Sequence, residues 1–186
     1  PWLSILVPVY DVQDYLAECI GSVMEQLAQL PDGGAGVEVL VLDDASTDGS
    51  RALMDALAAR WPGRLALMHH ARNQGLSAAR NTMIGAARGE YLWFLDSDDK
   101  LLPGALAGLQ AAVRRHAPDA VLSDFAVGRE RPRLKHRLRG EAHRATFAGP
   151  AGGPFHDRAA LLAGLFMTGQ LHAWSKITRR ALWGAD

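Results

Sequence analysis

"YLWFLDSDDKLL" (91–102) runs apolar for five residues and then sets three acids, Asp96, Asp98 and Asp99, within four positions. An apolar run of this length bounded by turn residues reads as a buried strand. Carboxylates crowded at its end repel one another, so the rest of the chain must bring something positive among them.

Working outward, "LSILVPVY" (3–10), "VEVLVLDD" (37–44) and "RLALMHH" (64–70) have the same character, and "EYLWFLD" (90–96) makes a fourth strand. Between them lie "YLAECIGSVMEQL" (15–27), "STDGSRALMDALAAR" (46–60) and "LSAARNTMIGAARG" (76–89), which read as helices. The second begins on Ser/Thr/Asp residues and the third is closed by Gly89. The strands are too continuously apolar for a sheet with one wet face. Strand and helix alternating through short connections predict an α/β fold, Rossmann-like, with a mostly parallel central sheet flanked by helices. In such folds ligands sit beyond the carboxyl ends of the strands. Tyr10 and Asp11, Asp43 and Asp44, and Asp96, Ser97 and Asp98 should therefore open onto one edge. A single acid there is often a turn residue or helix cap; three strand ends converging argue for a site. Two carboxylates at D-x-D spacing offer hard oxygen ligands suited to Mg²⁺ or Mn²⁺ shared with a substrate's phosphates.

The bounds agree. The chain has 186 residues, 48% hydrophobic and 22% charged, with 20 basic and 20 acidic side chains. This suits one globular domain, and the zero net charge gives no field to attract nucleic acid. The single cysteine, Cys19, excludes a disulfide framework and fits a reducing, cytoplasmic setting. No apolar run approaches the roughly 18 residues of a membrane span. The missing initial Met and the ending "ALWGAD" suggest a piece truncated at its C-terminus.

In the second half, "LPGALAGLQAAVRRH" (102–116) reads as a helix and "DAVLSDFAV" (119–127) as a strand ending near Asp124. "GRERPRLKHRLRGEAHR" (128–144) concentrates positive charge. It reads either as a solvated loop or hairpin or as a contact for an anionic polymer or lipid head group, consistent with peripheral association at the inner face of a membrane. "AGPAGGP" (148–154) follows as a flexible connector. His69 and His70 read as structural, since no acid or thiol pattern beside them makes a metal site.

"ILVPVYD", "VLVLDDASTDGS", "NQGLSAARN" and "GEYLWFLDSDDKL" resemble, in order, the motifs of family 2 glycosyltransferases over about residues 3–103. The resemblance implies the GT-A nucleotide-diphospho-sugar transferase fold, with a nucleotide-binding half (1–103) and an acceptor-side half (104–186). It implies transfer of a sugar, with inversion and metal assistance, from a nucleotide-sugar, UDP-linked in this reading, to a glycan, lipid-linked or cell-envelope polymer. Pro8, Val9 and Tyr10 match the segment bordering the base, and Asp44 the acid that recognises it. Arg80 would turn toward the diphosphate, a plain surface salt bridge being the other reading, Asn73 and Gly75 would shape the loop before its helix, and Asp96 and Ser97 would face the donor. Asp98, with Asp96, would hold the metal. The usual "DDGSTD" carries Ala45 in place of a turn Gly, which predicts a backbone that avoids positive φ there.

In the family the general base lies in an acidic motif downstream of a Trp-x-Lys segment resembling "HAWSKITRR" (172–180). Asp157 and Asp186 are the late acids available. His172, Trp174 and Lys176 would border the acceptor side, although a core Trp with two surface polar residues explains the same letters. A haloacid-dehalogenase-like phosphotransferase would place its D-x-D on the opening strand, and a related nucleotidyltransferase would want a Gly-rich basic loop after it. Here the triplet closes the fourth strand, and "PVYDVQDY" is not such a loop. A nucleotide-sugar-binding domain, inactive alone within a larger polymer synthase, is the alternative reading.

Overall fold

The computed structural model describes residues 1–127 and 143–184. The basic run lies outside the described residues apart from positions 143–144, as does Asp186. The first half alternates β1 (Leu3–Val9), α1 (Leu16–Gln29), β2 (Val37–Asp43), α2 (Ser50–Arg60), β3 (Leu65–His69), α3 (Leu76–Ala86) and β4 (Tyr91–Phe94). Then follow α4 (Ala105–His116), β5 (Ala120–Leu122), β6 (Phe125–Ala126), β7 (His143–Arg144), α5 (Arg158–Thr168) and β8 (Lys176–Arg179). The main sheet has the order β3-β2-β1-β4-β8-β5, and β6 pairs with β7 separately. β1 to β4 are mutually parallel, while β8 runs antiparallel between β4 and β5.

Alternation along the strands sends side chains into two cores. Leu3, Ile5, Val7 and Val9 meet α1 through Leu16, Ile20, Val23 and Leu27. Leu6, Leu40, Leu42, Leu92 and Phe94 meet α3 through Ala79 and Met83. Period-two burial on both faces is why these strands read as unbroken apolar runs.

Several expected boundaries move. The 119–127 strand divides into β5 and β6, which join different sheets. α2 begins only at Ser50, with Gly49 at the cap position, while Asp48 of the expected Ser/Thr/Asp start accepts from Ser50 N–H. α3 ends at Ala86, so Gly89 does not close it. Gly89 instead lies against β1, where its N–H donates to Ser4 Oγ (2.8 Å).

That contact belongs to a polar cluster at the amino edge of the sheet. Glu38 on β2 accepts from Ser4 Oγ (2.5 Å), Arg88 N (2.5 Å), Arg88 Nε (3.1 Å) and Gly89 N (3.1 Å). Burial pushes the Glu38 carboxyl up, but the bonds from Ser4, Arg88 and Gly89 outweigh it, leaving a net lowered pKa. A depressed carboxylate contributes stability above its unfolded pKa, about 4.3, that is lost as pH falls through the folded value. Glu38→Gln should therefore lower stability at pH 7 and flatten the acid limb of a denaturation series between about pH 5 and 2. An unchanged acid limb in the variant would rule this out.

Pro8 sits in a central strand, where a missing N–H usually breaks a ladder. Here Leu95 N donates to Leu6 O on the β4 side, whereas Asp44 N donates to Val9 O on the β2 side. Residues of a parallel strand bond alternately to the two neighbours, so Pro8 N faces β4. The β1–β4 pairing stops at Leu6 with Phe94. The strands thus part beyond Leu6, and successive connections leave β1 and β4 in opposite directions across the sheet. That is a topological switch point, where open α/β sheets leave a crevice.

Candidate functional site

The loops after β1, β2, β3 and β4 all leave the carboxyl edge of the sheet on which this crevice opens. The first two are fastened to each other. Asp11, at φ 50°, accepts from Thr47 N (2.7 Å) and Asp48 N (3.3 Å), and Asp11 N donates back to Ser46 Oγ (3.1 Å). Val12 N donates to Ser50 Oγ and Gly49 N to Gln13 Oε1. Ser46 N donates to Asp43 Oδ1 (2.9 Å). Turning the 46–48 amides toward Asp11 and Asp43 places Ala45 at φ 62°, contrary to the expectation that the missing glycine would keep this position out of the left-handed region. The reciprocal bonds hold an alanine in a conformation that costs roughly 1 kcal/mol.

Asp44 is buried just after the end of β2. Oδ1 accepts from His70 Nδ1 (2.6 Å) and Gln74 N (3.0 Å), and Oδ2 from Gly75 N (2.7 Å). Burial pushes its carboxyl up, but the bonds from His70, Gln74 and Gly75, with the charge of His70, carry the net shift downward. Asp44 is thus held as an anion beside the β3–α3 turn. Asn73 and Gly75 shape that turn as expected: Gly75 lies at φ 85° and its N–H also donates to Asn73 Oδ1. His70 is partly buried, its Nε2 facing Thr82 Oγ1 (3.0 Å) on α3. The neighbouring Asp43 points the other way, with Oδ2 buried and 3.7 Å from His69 Nδ1.

The puzzle of the three acids is partly resolved by Arg80. Its Nη2 donates to Asp96 Oδ1 (2.8 Å), and its guanidinium lies over the Phe94 ring (5.4 Å). From the other face, α1 holds the turn. Cys19 Sγ contacts Asp96 O (3.7 Å), Ser22 Oγ accepts from Leu101 N, and Gln26 bonds Leu102 O and Leu106 N. Lys100 pairs with Glu18. Ser97 is buried, whereas Asp98 and Asp99 face solvent. Burial, then the charges of Asp98 and Asp96, raise the pKa of Asp99, and His172 partly offsets this. Burial and the same three carboxylates push the Cys19 thiol far up. One cation therefore answers Asp96, and a negative potential remains around Asp98 and Asp99.

Oxygen-only donors in a negative field suit a hard divalent cation. Among the described residues no three His, Cys, Asp or Glu side chains already form a cage for one. Tyr10 is exposed just beyond β1, following the buried Pro8 and Val9.

The acceptor-side candidates divide. Asp157 is the N-cap of α5, its Oδ1 accepting from Ala160 N (3.0 Å), so its carboxylate is engaged by the helix. Trp174 is anchored from β4, its carbonyl accepting from Trp93 Nε1 (2.8 Å). His172 stacks on it (5.0 Å, 11°) and Phe125 meets it edge-on (4.5 Å). Lys176 Nζ is spent on the carbonyls of Gln170 and His172 (both 2.7 Å), and burial lowers its pKa.

Reading the sequence missed Asp11 as the fastener of two loops and His70 as the partner of Asp44. A histidine directly after a strand that ends level with Asp43-Asp44 was the available signal.

The sequence model described as "Glycosyl transferase family 2" matches residues 4–166. The poly(ribitol-phosphate) beta-glucosyltransferase of Bacillus spizizenii is 33% identical over 104 residues, 56% of this chain and 16% of that protein. The crystal structure of Staphylococcus aureus TarS 1-349 in complex with UDP-GlcNAc superposes with a TM-score of 0.72 at 26% identity, covering 97% of this chain and 46% of that one. A mannosyltransferase from Pyrobaculum calidifontis, in complex with GDP-Man and Mn²⁺, gives 0.57 at 26% identity over 69% of this chain and 36% of that one. These likenesses establish the GT-A fold. The chain spans 34–38% of the length of the first curated relatives it matches.

Proposed function

Because this chain belongs to glycosyl transferase family 2, we propose that its β1/β4 crevice binds a UDP-sugar and that the whole protein transfers the sugar, by single displacement with inversion, to a glycan, lipid-linked or cell-envelope polymer. The observation that carries this reading is the meeting, at one sheet edge, of an ionised, buried Asp44 with the D-x-D turn and Arg80. TarS crystallised with UDP-GlcNAc supports the donor class, and the relative named for poly(ribitol-phosphate) supports a polymer acceptor.

In this reading the Tyr10 ring stacks on the base above Pro8 and Val9. The Asp44 carboxylate accepts the N3 proton of uracil. Arg80 fixes the carboxylate of Asp96 and presents positive charge to the diphosphate, while Asp96 and Ser97 face ribose and donor sugar. Asp98, with Asp96, would hold Mn²⁺ or Mg²⁺, which supplies Lewis-acid stabilisation of the leaving diphosphate when bound. The acceptor hydroxyl attacks the anomeric carbon, the bond to the diphosphate breaks with its electron pair, and the hydroxyl proton passes to a carboxylate base. Asp157 is a poor choice for that base because it caps a helix, and Asp186 lies outside the described residues. Positioning the two reactants on one rigid edge supplies much of the acceleration.

Calorimetric titration of UDP with and without Mn²⁺, on the protein and on Asp98→Ala, tests the site. Mn²⁺ should tighten UDP binding by about tenfold or more in the parent protein, and this gain should vanish in the variant. Absent UDP binding, or binding indifferent to metal, would remove the role given to the acidic turn.

A further inference from the structure

We infer that His70 is a positioning residue for the donor site: its Nδ1–H holds the Asp44 carboxylate, and through it the Gln74–Gly75 turn, in the orientation that meets the nucleotide base. The inference rests on the reading of Asp44 as the base-recognising acid.

The geometry runs in one line across the edge of the sheet. His70 N donates to Asp43 O (2.9 Å), which continues the β2–β3 ladder by one residue and fixes where the imidazole starts. Nδ1 then lies 2.6 Å from Asp44 Oδ1, and Nε2 lies 3.0 Å from Thr82 Oγ1. The imidazole is 8% exposed and Asp44 4%. A carboxylate accepts only, so Nδ1 carries the proton in this pair. Nε2 meets the Thr82 hydroxyl, accepting from it when unprotonated and donating to it when protonated. Asp44 Oδ1 receives the imidazole and Gln74 N, and Oδ2 receives Gly75 N. Without the imidazole, the carboxylate would be held only by the turn it is meant to orient. His70 ties that pair to β3 and α3.

The chemistry makes this a specificity device. A fixed anionic acceptor favours a base whose edge carries an N–H, such as uracil at N3, and repels one that presents a lone pair, such as cytosine at N3. If the carboxylate rotates freely, binding weakens and this discrimination falls.

Two near-isosteres separate the imidazole's two bonds. Asn places its amide nitrogen where Nδ1 lies, and Gln places its own where Nε2 lies. His70→Asn therefore keeps the donor to Asp44, and His70→Gln keeps only the contact to Thr82. UDP and CDP are titrated into the protein and both variants, with thermal denaturation as a check on folding. Amide hydrogen exchange at Gln74 and Gly75 is measured without ligand. His70→Gln should weaken UDP about tenfold and narrow the UDP/CDP preference, while His70→Asn stays within about threefold of the parent. The turn amides should exchange faster in the Gln variant only. Equal UDP affinity in all three proteins, or equal loss in both variants, overturns the positioning role while leaving the donor reading intact. If the parent protein binds no UDP, the donor reading and its base-recognition consequence fall. Equal exchange of the two amides in all three proteins likewise overturns the hold of His70 on the turn.

Discussion

Gly89→Ala is expected to destabilise the fold by about 3 kcal/mol or more, seen as a large drop in denaturation midpoint or loss of a cooperative transition. The cause is steric. A Cβ on Gly89 would lie 2.4 Å from Ser4 N, 2.5 Å from Ser4 Oγ and 2.6 Å from Leu3 C. Two of these atoms are backbone of β1, the strand that pairs with both β2 and β4. Relief would have to move either the central ladder or the Arg88–Gly89 turn, whose amides are bonded to Glu38 and Ser4. Gly85→Ala is the control: a Cβ there meets nothing within 4 Å, and the residue lies in α3. It should be neutral or stabilising by up to about 1 kcal/mol. A Gly89→Ala protein as stable as the Gly85→Ala protein would sink the packing account.

Asp44→Asn should weaken UDP by about a hundredfold, from the loss of an anionic acceptor that meets at least two donors at once. An amide in that place can keep the Gly75 N–H only by turning its NH₂ toward His70, whose Nδ1 must then give up its proton and accept. The variant's stability should also respond differently to pH. The Asp44 pKa is lowered in the folded protein. Its carboxylate therefore stabilises the fold above an unfolded pKa of about 3.9, and that contribution disappears as pH falls through the folded value. Denaturation midpoints of parent and variant should converge toward low pH and separate toward neutrality. UDP affinity within about twofold of the parent would show that Asp44 does not touch the base.

These two residues also mark the limit of what the letters could say. That Gly89 matters was visible, but the sequence pointed to a helix end. Only the approach of residue 89 to residue 4 across the sheet gives the steric reason. Asp44 was legible as an acid at a strand end, and the family resemblance pointed to a base-recognition role. Its pairing with His70, 26 residues later, was not. The same holds for Asp11, whose partners at 46–48 sit at the end of a different strand.

Legible in the residues alone were the order of strands and helices in the first hundred residues, the parallel sheet, and the edge at which Tyr10, Asp44 and the acidic triplet gather. Those features follow from local periodicity and from burial on both faces, which each segment carries in its own residues. Tertiary structure alone decided that Ala45 takes a left-handed backbone, that Arg80 answers Asp96, that β8 inserts antiparallel between β4 and β5, and that Asp157 serves a helix. Each of these but the Asp157 cap is set by a partner distant in the chain. The cap itself bonds only three residues on, and depends on α5 starting at Arg158.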